Sequence, residues 1–398
     1  MRKSKIIIAG AGLGGLTAAL ALLKRGFDVE LYEQTENLRE IGAGVQIAAN
    51  GNRVLYDLGL GQEMERIGTV PTGKEVRLWS TGKSRTFIDL SAASIQKYGA
   101  PFFLVHRADL HDELLKAVLK IKPNAIHLGA RCVDFKDNGT SVVVSLENGR
   151  SAEGDLLIGA DGIHSKIRQA LFGPDKATFS GFMAWRALIP TAHLPRTISR
   201  DGGVFWVGPT AHIVHYPLRG GELINFIGIV ERDTWTVESW TEYGTLDEIA
   251  ADYRGWHEDV QAMIRNIDKP YKWALIFREP IERWSVGRVT LLGDACHSTL
   301  PFLAQGANMA IEDGHILARA LDKYGSDYSA AFNSYESLRI ARTTRVVRGS
   351  AEQAKRVHNP ALADPALAEA HIEREWDKPQ VDNRYDWLFE YNPVAAPV

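Results

Sequence analysis

Cysteine is scarce in this 398-residue chain. Cys132 and Cys296 are the only two, far apart and in no CxxC pairing. That argues against a secreted disulfide scaffold and a zinc site, and two reduced thiols fit a cytoplasmic protein with no metal centre. Excess positive charge is also missing. Lys and Arg number 46 against 49 Asp and Glu, a formal net charge of −3, which leaves no electrostatic footprint for nucleic acid or an anionic membrane. No internal repeat or low-complexity segment occurs. Only one long apolar run exists, Ile6 to Leu23, which holds no charged residue and lies behind Arg2, Lys3 and Lys5. Superficially it fits a signal peptide or a marginal membrane span. Gly10, Gly12, Gly14 and Gly15 break its centre, however, and no second run follows. A soluble strand–turn–helix explains it better. What remains is 45% apolar and 24% charged, an ordinary globular composition long enough for two packed domains. The expected partners are small molecules.

Periodicity organises the chain. Lys5 to Ala9 reads as a strand, followed by a glycine turn, a helix to about Arg25 and a second strand from Phe27 to Tyr32. The unbroken apolar run of the first strand predicts a parallel sheet buried on both faces. Residues 108–121 carry Leu110, Leu114, Leu115 and Val118 on one helical face. From about 179 to 280 aromatic and polar residues alternate, and Arg219-Gly220-Gly221-Glu222 joins two strand-like runs as a hairpin. An antiparallel sheet is expected there. Val289 to Asp294 returns to the buried parallel type, and helices follow from about 305 to 357. The tail holds Trp376, Tyr385, Trp387, Phe389 and Tyr391. It covers either the core or a second copy in a homodimer, and the sequence leaves both open.

Gly10-Ala11-Gly12-Leu13-Gly14-Gly15 is a GxGxxG between strand and helix. Gly10, Gly12 and Gly15 allow a tight turn and close backbone approach to a pyrophosphate, whose charge meets the helix N-terminus. Glu33 closes the second strand, where a carboxylate accepts hydrogen bonds from a ribose. Together these predict a bound dinucleotide, without distinguishing FAD from NAD.

Two later segments make that distinction. Gly159-Ala160-Asp161-Gly162, running on to Arg168, and Gly293-Asp294-Ala295-Cys296-His297, followed by Pro301 and Gln305-Gly306-Ala307-Asn308, resemble two further motifs of the para-hydroxybenzoate hydroxylase superfamily of single-component FAD-dependent aromatic monooxygenases. The resemblance spans roughly residues 5–345. It implies a mixed α/β fold, with a Rossmann-like FAD-binding domain over 1–75, 98–178 and 285–345. An inserted antiparallel-sheet substrate domain would occupy 76–97 and 179–284, with C-terminal helices over 346–398. It also implies FAD as cofactor, NADH or NADPH as co-substrate, and dioxygen for hydroxylation of a small aromatic acid through a flavin C4a-hydroperoxide. By the same resemblance Asp294 takes the ribitol, and the N–H groups of Gly306, Ala307 and Asn308 face the flavin pyrimidine edge. Asp161 and Arg168 serve the diphosphate region and the nicotinamide nucleotide, while Arg39 and Arg107 match cofactor-contacting arginines. A plain turn is the alternative for Asp161-Gly162, and a surface position for Arg39.

Strand alternation puts His212, Val214 and Tyr216 on one face, and His215 on the other. His212 and Tyr216 resemble the His and Tyr that meet the ring hydroxyl in 3-hydroxybenzoate 6-hydroxylases and 6-hydroxynicotinate 3-monooxygenases. The alternative is a buried histidine satisfied by backbone, with Tyr216 as core. Gln46 stands where hydroxynicotinate enzymes carry His, which leans toward a benzenoid ring. Pro301 replaces a Gln of the 3-hydroxybenzoate enzymes, and the run from His297 to Gly306 looks more like salicylate 1-monooxygenases. Halogenases of this fold carry Trp-x-Trp-x-Ile-Pro. Here Trp185-Arg186-Ala187-Leu188-Ile189-Pro190 has Ala187 at the second Trp, which disfavours halogenation.

Overall fold

The computed structural model describes residues 3–38, 43–175, 177–234 and 242–398. It is a mixed α/β fold built on two large sheets. The first has six strands in the order Ser285–Val286, Val289–Leu291, Leu156–Gly159, Lys5–Ala9, Asp28–Tyr32 and Ile126–His127. Pairing is parallel except at the Ser285–Val286 edge. Ile6, Ile7 and Ile8 are fully buried, as a strand covered on both faces requires. The helix Leu13–Lys24 is buried from Leu13 to Leu23, wedged against the helix Gly306–Tyr324. This explains the uncharged run Ile6 to Leu23: apart from the glycine turn, it is packed in protein. Among the described residues no helix is long and apolar enough to cross a membrane.

The second sheet has seven strands, in the order Tyr271–Phe277, Thr178–Pro190, Leu223–Glu231, Ala211–Leu218, Gly203–Val207, Gly73–Leu78 and Ser84–Asp89. All neighbours are antiparallel except Gly203–Val207 with Gly73–Leu78. The predicted hairpin is present, with Leu218 opposite Leu223 across the turn. Two helices that alternation did not predict, Leu246–Asp252 and Glu258–Arg265, cover one side of this sheet through Ile249, Val260 and Met263.

The helical stretch expected from about 305 to 357 breaks once, between Gly306–Tyr324 and Tyr328–Val357. The second runs unbroken past residue 346, so the tail's own elements begin after Val357. Its aromatics cover the chain's own core. Phe389 lies edge-on to Tyr98 and Phe102, with ring centroids 5.4 and 5.9 Å away. Arg53 donates to the carbonyls of Phe389 and Tyr391 at 2.8 and 2.7 Å.

Candidate active site

A cavity of about 630 Å³ runs from the first glycine turn to the seven-stranded sheet. At its upper end the backbone dictates the sequence. Gly10 has φ +102°, and a Cβ there would lie 2.4 Å from the Ala160 carbonyl oxygen, so a side chain is excluded twice over. Gly12 caps the helix Leu13–Lys24 without a side-chain hydrogen bond, and nothing lies within 4 Å of where its Cβ would be. The first-turn N–H groups therefore face open space, an arrangement that suits a phosphate. Gly15 sits against the Gly10 carbonyl rather than on the cavity wall. Glu33 lines the cavity and is aimed by hydrogen bonds from the N–H groups of Ala11 (2.9 Å) and Thr35 (3.0 Å).

The second half of the chain supplies the opposite wall. Asp294 follows Gly293, whose φ is +63°, and its carboxylate faces the cavity with no protein hydrogen bond among the described residues. Its surface is open to the cavity, and desolvation by the surrounding walls pushes its pKa up. A carboxylate left without donors in such a place calls for hydroxyl partners. Asp161 lines the cavity and also ties its own turn, accepting from Ser165 Oγ (2.5 Å) and the N–H groups of Lys166 (2.7 Å) and Ile167 (3.2 Å). Both readings of Asp161 thus have a geometric basis. Arg107, Gly306 and Ala307 line the wall as well. Asn308 does not. Its buried side chain donates to the carbonyls of Gln46 and Ala304 and accepts from the Ala48 N–H, fixing the strand Gly44–Ile47. Arg168 is held at Asp175 (2.5 Å) and the Ala295 carbonyl (3.4 Å), away from the wall. Arg39 lies outside the described residues.

At the lower end the strand Ala211–Leu218 turns His212, Val214 and Tyr216 into the cavity, while His215 is buried outside it. Gln46 and Pro301 join them. Tyr216 is packed so closely on Gly44 that a Cβ there would lie 2.5 Å from the ring. His212 is not satisfied by backbone. Its Nδ1 is 2.7 Å from Nε2 of His358, whose Nδ1 is 3.0 Å from Glu231.

Two cationic wall residues, Lys74 and Arg186, escaped the sequence analysis. Lys74 Nζ donates to Gln46 Oε1 at 2.7 Å and lies 4.5 Å from the centre of the Phe102 ring. Burial without a carboxylate pulls its pKa down to about 7. Arg186 stacks 4.3 Å over Trp273, its Nε is buried without a hydrogen bond, and burial lowers its pKa to about 10. Neither cation has an acidic partner among the described residues, so the cavity is prepared for an anion. No local signal marks Lys74. Arg186 stood within the Trp185–Pro190 run, read there only for its missing tryptophan.

Known proteins resemble this chain in sequence and fold. A family model described as an FAD binding domain matches residues 3–350. The 3-amino-4-hydroxybenzoate 2-monooxygenase PtnB3 of Streptomyces platensis is 35% identical over 396 residues, covering 100% of this chain and 98% of that protein. The 3-hydroxybenzoate 6-hydroxylase of Polaromonas naphthalenivorans (strain CJ2) is 34% identical over 394 residues, 97% of this chain and 96% of its own. Among solved structures, Klebsiella pneumoniae HpxO complexed with FAD and uric acid matches with a TM-score of 0.83 at 28% identity, over 96% of each chain. The glycine turn with its bare helix end, the donor-free Asp294 and the cavity between two sheets thus belong to a member of the FAD-binding-domain family, an FAD-dependent monooxygenase.

Proposed function

We propose that this enzyme hydroxylates a small phenolic acid of hydroxybenzoate or salicylate type, in the cytoplasm, with NADH or NADPH as electron donor and dioxygen as oxygen source. One observation carries the reading. A single cavity joins the glycine turn and Asp294 to a histidine and to two cations with no carboxylate partner among the described residues. The aromatic acids in the names of the relatives agree with it. The division of the chain follows: residues 1–75, 98–178 and 285–345 hold FAD, and 76–97 with 179–284 hold the substrate. Glu33 would take the adenosine ribose, the helix end after Gly12 the diphosphate and Asp294 the ribitol. Arg107 and Asp161 would flank them, and the N–H groups of Gly306 and Ala307 would meet the pyrimidine edge.

Bound FAD supplies electron uptake from the nicotinamide and delivery of one oxygen atom of dioxygen to the ring. The chain's own residues prepare the ring. A phenol with a pKa near ~10 is neutral at pH 7, and Nε2 of His212, which has no protein partner among the described residues, would accept its proton. Such positioned proton transfer is worth roughly 10²–10⁴-fold. Tyr216 would hydrogen-bond the same oxygen, Lys74 and Arg186 would hold the carboxylate, and Phe205, Val214 and Phe302 would exclude water.

The test is consumption of NADH and NADPH by FAD-loaded enzyme with 3-amino-4-hydroxybenzoate, 3-hydroxybenzoate, salicylate and 6-hydroxynicotinate, with product identification. A benzenoid acid should stimulate consumption and appear hydroxylated in equal amount. Turnover of 6-hydroxynicotinate alone would move the reading to a pyridine ring. Stimulation by none, or peroxide as sole product, would refute it.

A further inference from the structure

A base buried in a cavity needs somewhere to send its proton. The structure provides a route that leads away from the ligand. His212 is 1% exposed, and its Nδ1 stands 2.7 Å from Nε2 of His358. The His358 side chain is also 1% exposed, and its Nδ1 is 3.0 Å from Oε1 of Glu231. The Glu231 side chain is 46% exposed. Three groups in hydrogen-bonded series thus span from the cavity wall to the surface. Aromatic rings sheathe the two imidazoles. Phe205 and Phe302 lie 5.1 and 5.3 Å from the His212 ring, and Phe182 lies 5.4 Å from that of His358. No other charged side chain pairs with either histidine among the described residues.

We propose that His212, His358 and Glu231 form a proton wire that carries the substrate's phenol proton from the cavity to the protein surface. The inference rests on the phenolic-acid reading above and adds His358 and Glu231, which act through His212 and are positioning residues for it. The hydrogen bonds dictate the tautomers. The ionised Glu231 accepts from Nδ1–H of His358. The bare Nε2 of His358 then accepts from Nδ1–H of His212, which leaves Nε2 of His212 bare and basic. When the phenol O–H breaks, its proton bonds to Nε2 of His212. The Nδ1 proton of His212 passes to Nε2 of His358, and the Nδ1 proton of His358 passes to Glu231. The result is a phenolate in the cavity, two neutral imidazoles with exchanged tautomers, and a carboxylic acid that equilibrates with water. Run backwards, the wire protonates the product phenolate and restores the tautomers. Burial supports passage over storage, because it disfavours a resting imidazolium at either ring.

Two measurements test this on FAD-loaded enzyme. Nitrogen-15 spectra of histidine-labelled protein, without substrate, should show His212 and His358 both neutral and both protonated on Nδ1. An Nε2–H tautomer or a doubly protonated ring at either position would overturn the wire. The second measurement uses Glu231→Gln, at a half-exposed site, and His358→Asn, with FAD retention confirming the fold. Ionisation of 3-hydroxybenzoate on binding, followed by phenolate absorbance, should slow by roughly 10²-fold in His358→Asn and by a smaller factor in Glu231→Gln. Both variants should lose the parent's solvent deuterium isotope effect on that step. A ring-fluorinated analogue of lower pKa should shrink both deficits. Equal deficits with both phenols, or unchanged rates, would reduce the trio to packing. If no hydroxybenzoate is turned over, the phenolic-acid reading falls, and the nitrogen-15 spectra still decide the wire separately.

Discussion

Two side chains on the cavity wall lend themselves to measurement one at a time. His212→Ala should retain FAD and still oxidise NADH, since neither step uses the imidazole. Oxygen transfer should fail, because a neutral phenol is a poor target, so hydrogen peroxide replaces product. The ratio of product to NADH consumed reads this directly, and a variant as well coupled as the parent would return His212 to a packing role. Lys74 makes a prediction with a sign. Its pKa of about 7 belongs to the ligand-free site, and a bound carboxylate favours the charged form. Substrate binding therefore needs the protonated lysine. KM should be flat below about pH 7 and climb about tenfold per unit above it, as the protonated fraction falls. Lys74→Met should raise KM at pH 6.5 by about 10–100-fold, the equivalent of ~1.5–3 kcal/mol for a charged hydrogen bond, and abolish the pH dependence. A KM unchanged in size and profile would take Lys74 out of the substrate site.

The helices behind Asp294 show how an element fixes a site it does not touch. Asp313, on Gly306–Tyr324, accepts from the Gly293 N–H (2.9 Å) and meets Nε2 of His297 (2.5 Å), so it grips both ends of the turn that presents Asp294. Arg339, from Tyr328–Val357, pairs with Asp313 at 2.7 Å and Glu312 at 2.5 Å, all three side chains fully buried. Burial alone would raise the Asp313 carboxyl, but His297 and Arg339 hold it down at about 2. A depressed carboxyl contributes stability that is complete above its unfolded pKa and lost as pH falls through the folded value, here from about pH 4 to about 2. Arg339→Met leaves two buried carboxylates underpaired and should cost about 3–5 kcal/mol. Thermal unfolding checks this, and flavin content after gel filtration should fall as the Asp294 turn loosens. A variant of parental stability and flavin content would mean that the network positions nothing. The elements themselves were legible because their signals are local: three consecutive isoleucines for a doubly covered strand, glycines for a turn, alternation for His212 and Tyr216. Lys74 beside Gln46, and His358 beside His212, were illegible because partners far apart in sequence meet only once the sheets have packed. Asn308 was legible only in part: its place at a helix start suggested a backbone N–H contact with the cofactor, while the bond from its side-chain amide to the Gln46 carbonyl joins partners far apart in sequence.

At the scale of the molecule, the cavity is walled by both sheets and by Tyr385 of the tail, so FAD should stabilise everything at once. Trp185, Trp206 and Trp273 stand on the seven-stranded sheet, while Trp284 is buried in the core around the glycine turn, so tryptophan fluorescence reports on both halves. With free FAD at 100 times its dissociation constant, linkage predicts about 2.7 kcal/mol of added stability, seen as a rise in Tm of a single tryptophan transition. A tryptophan transition that ignores FAD would show that the halves melt independently. The order in which the chain is synthesised has a related consequence. The apolar segment Ile6 to Leu23 is covered by Leu156–Gly159 and by the helix Gly306–Tyr324, and the wall it begins is completed by Tyr385. A ribosome adding roughly 5–20 residues per second reaches that tyrosine on the order of 20–75 s after Ala9. Until the helix Gly306–Tyr324 has emerged, late in that interval, this apolar stretch lacks part of its native cover. The nascent chain is therefore a natural client for holding chaperones, and flavin capture belongs to the last moments of synthesis or after it.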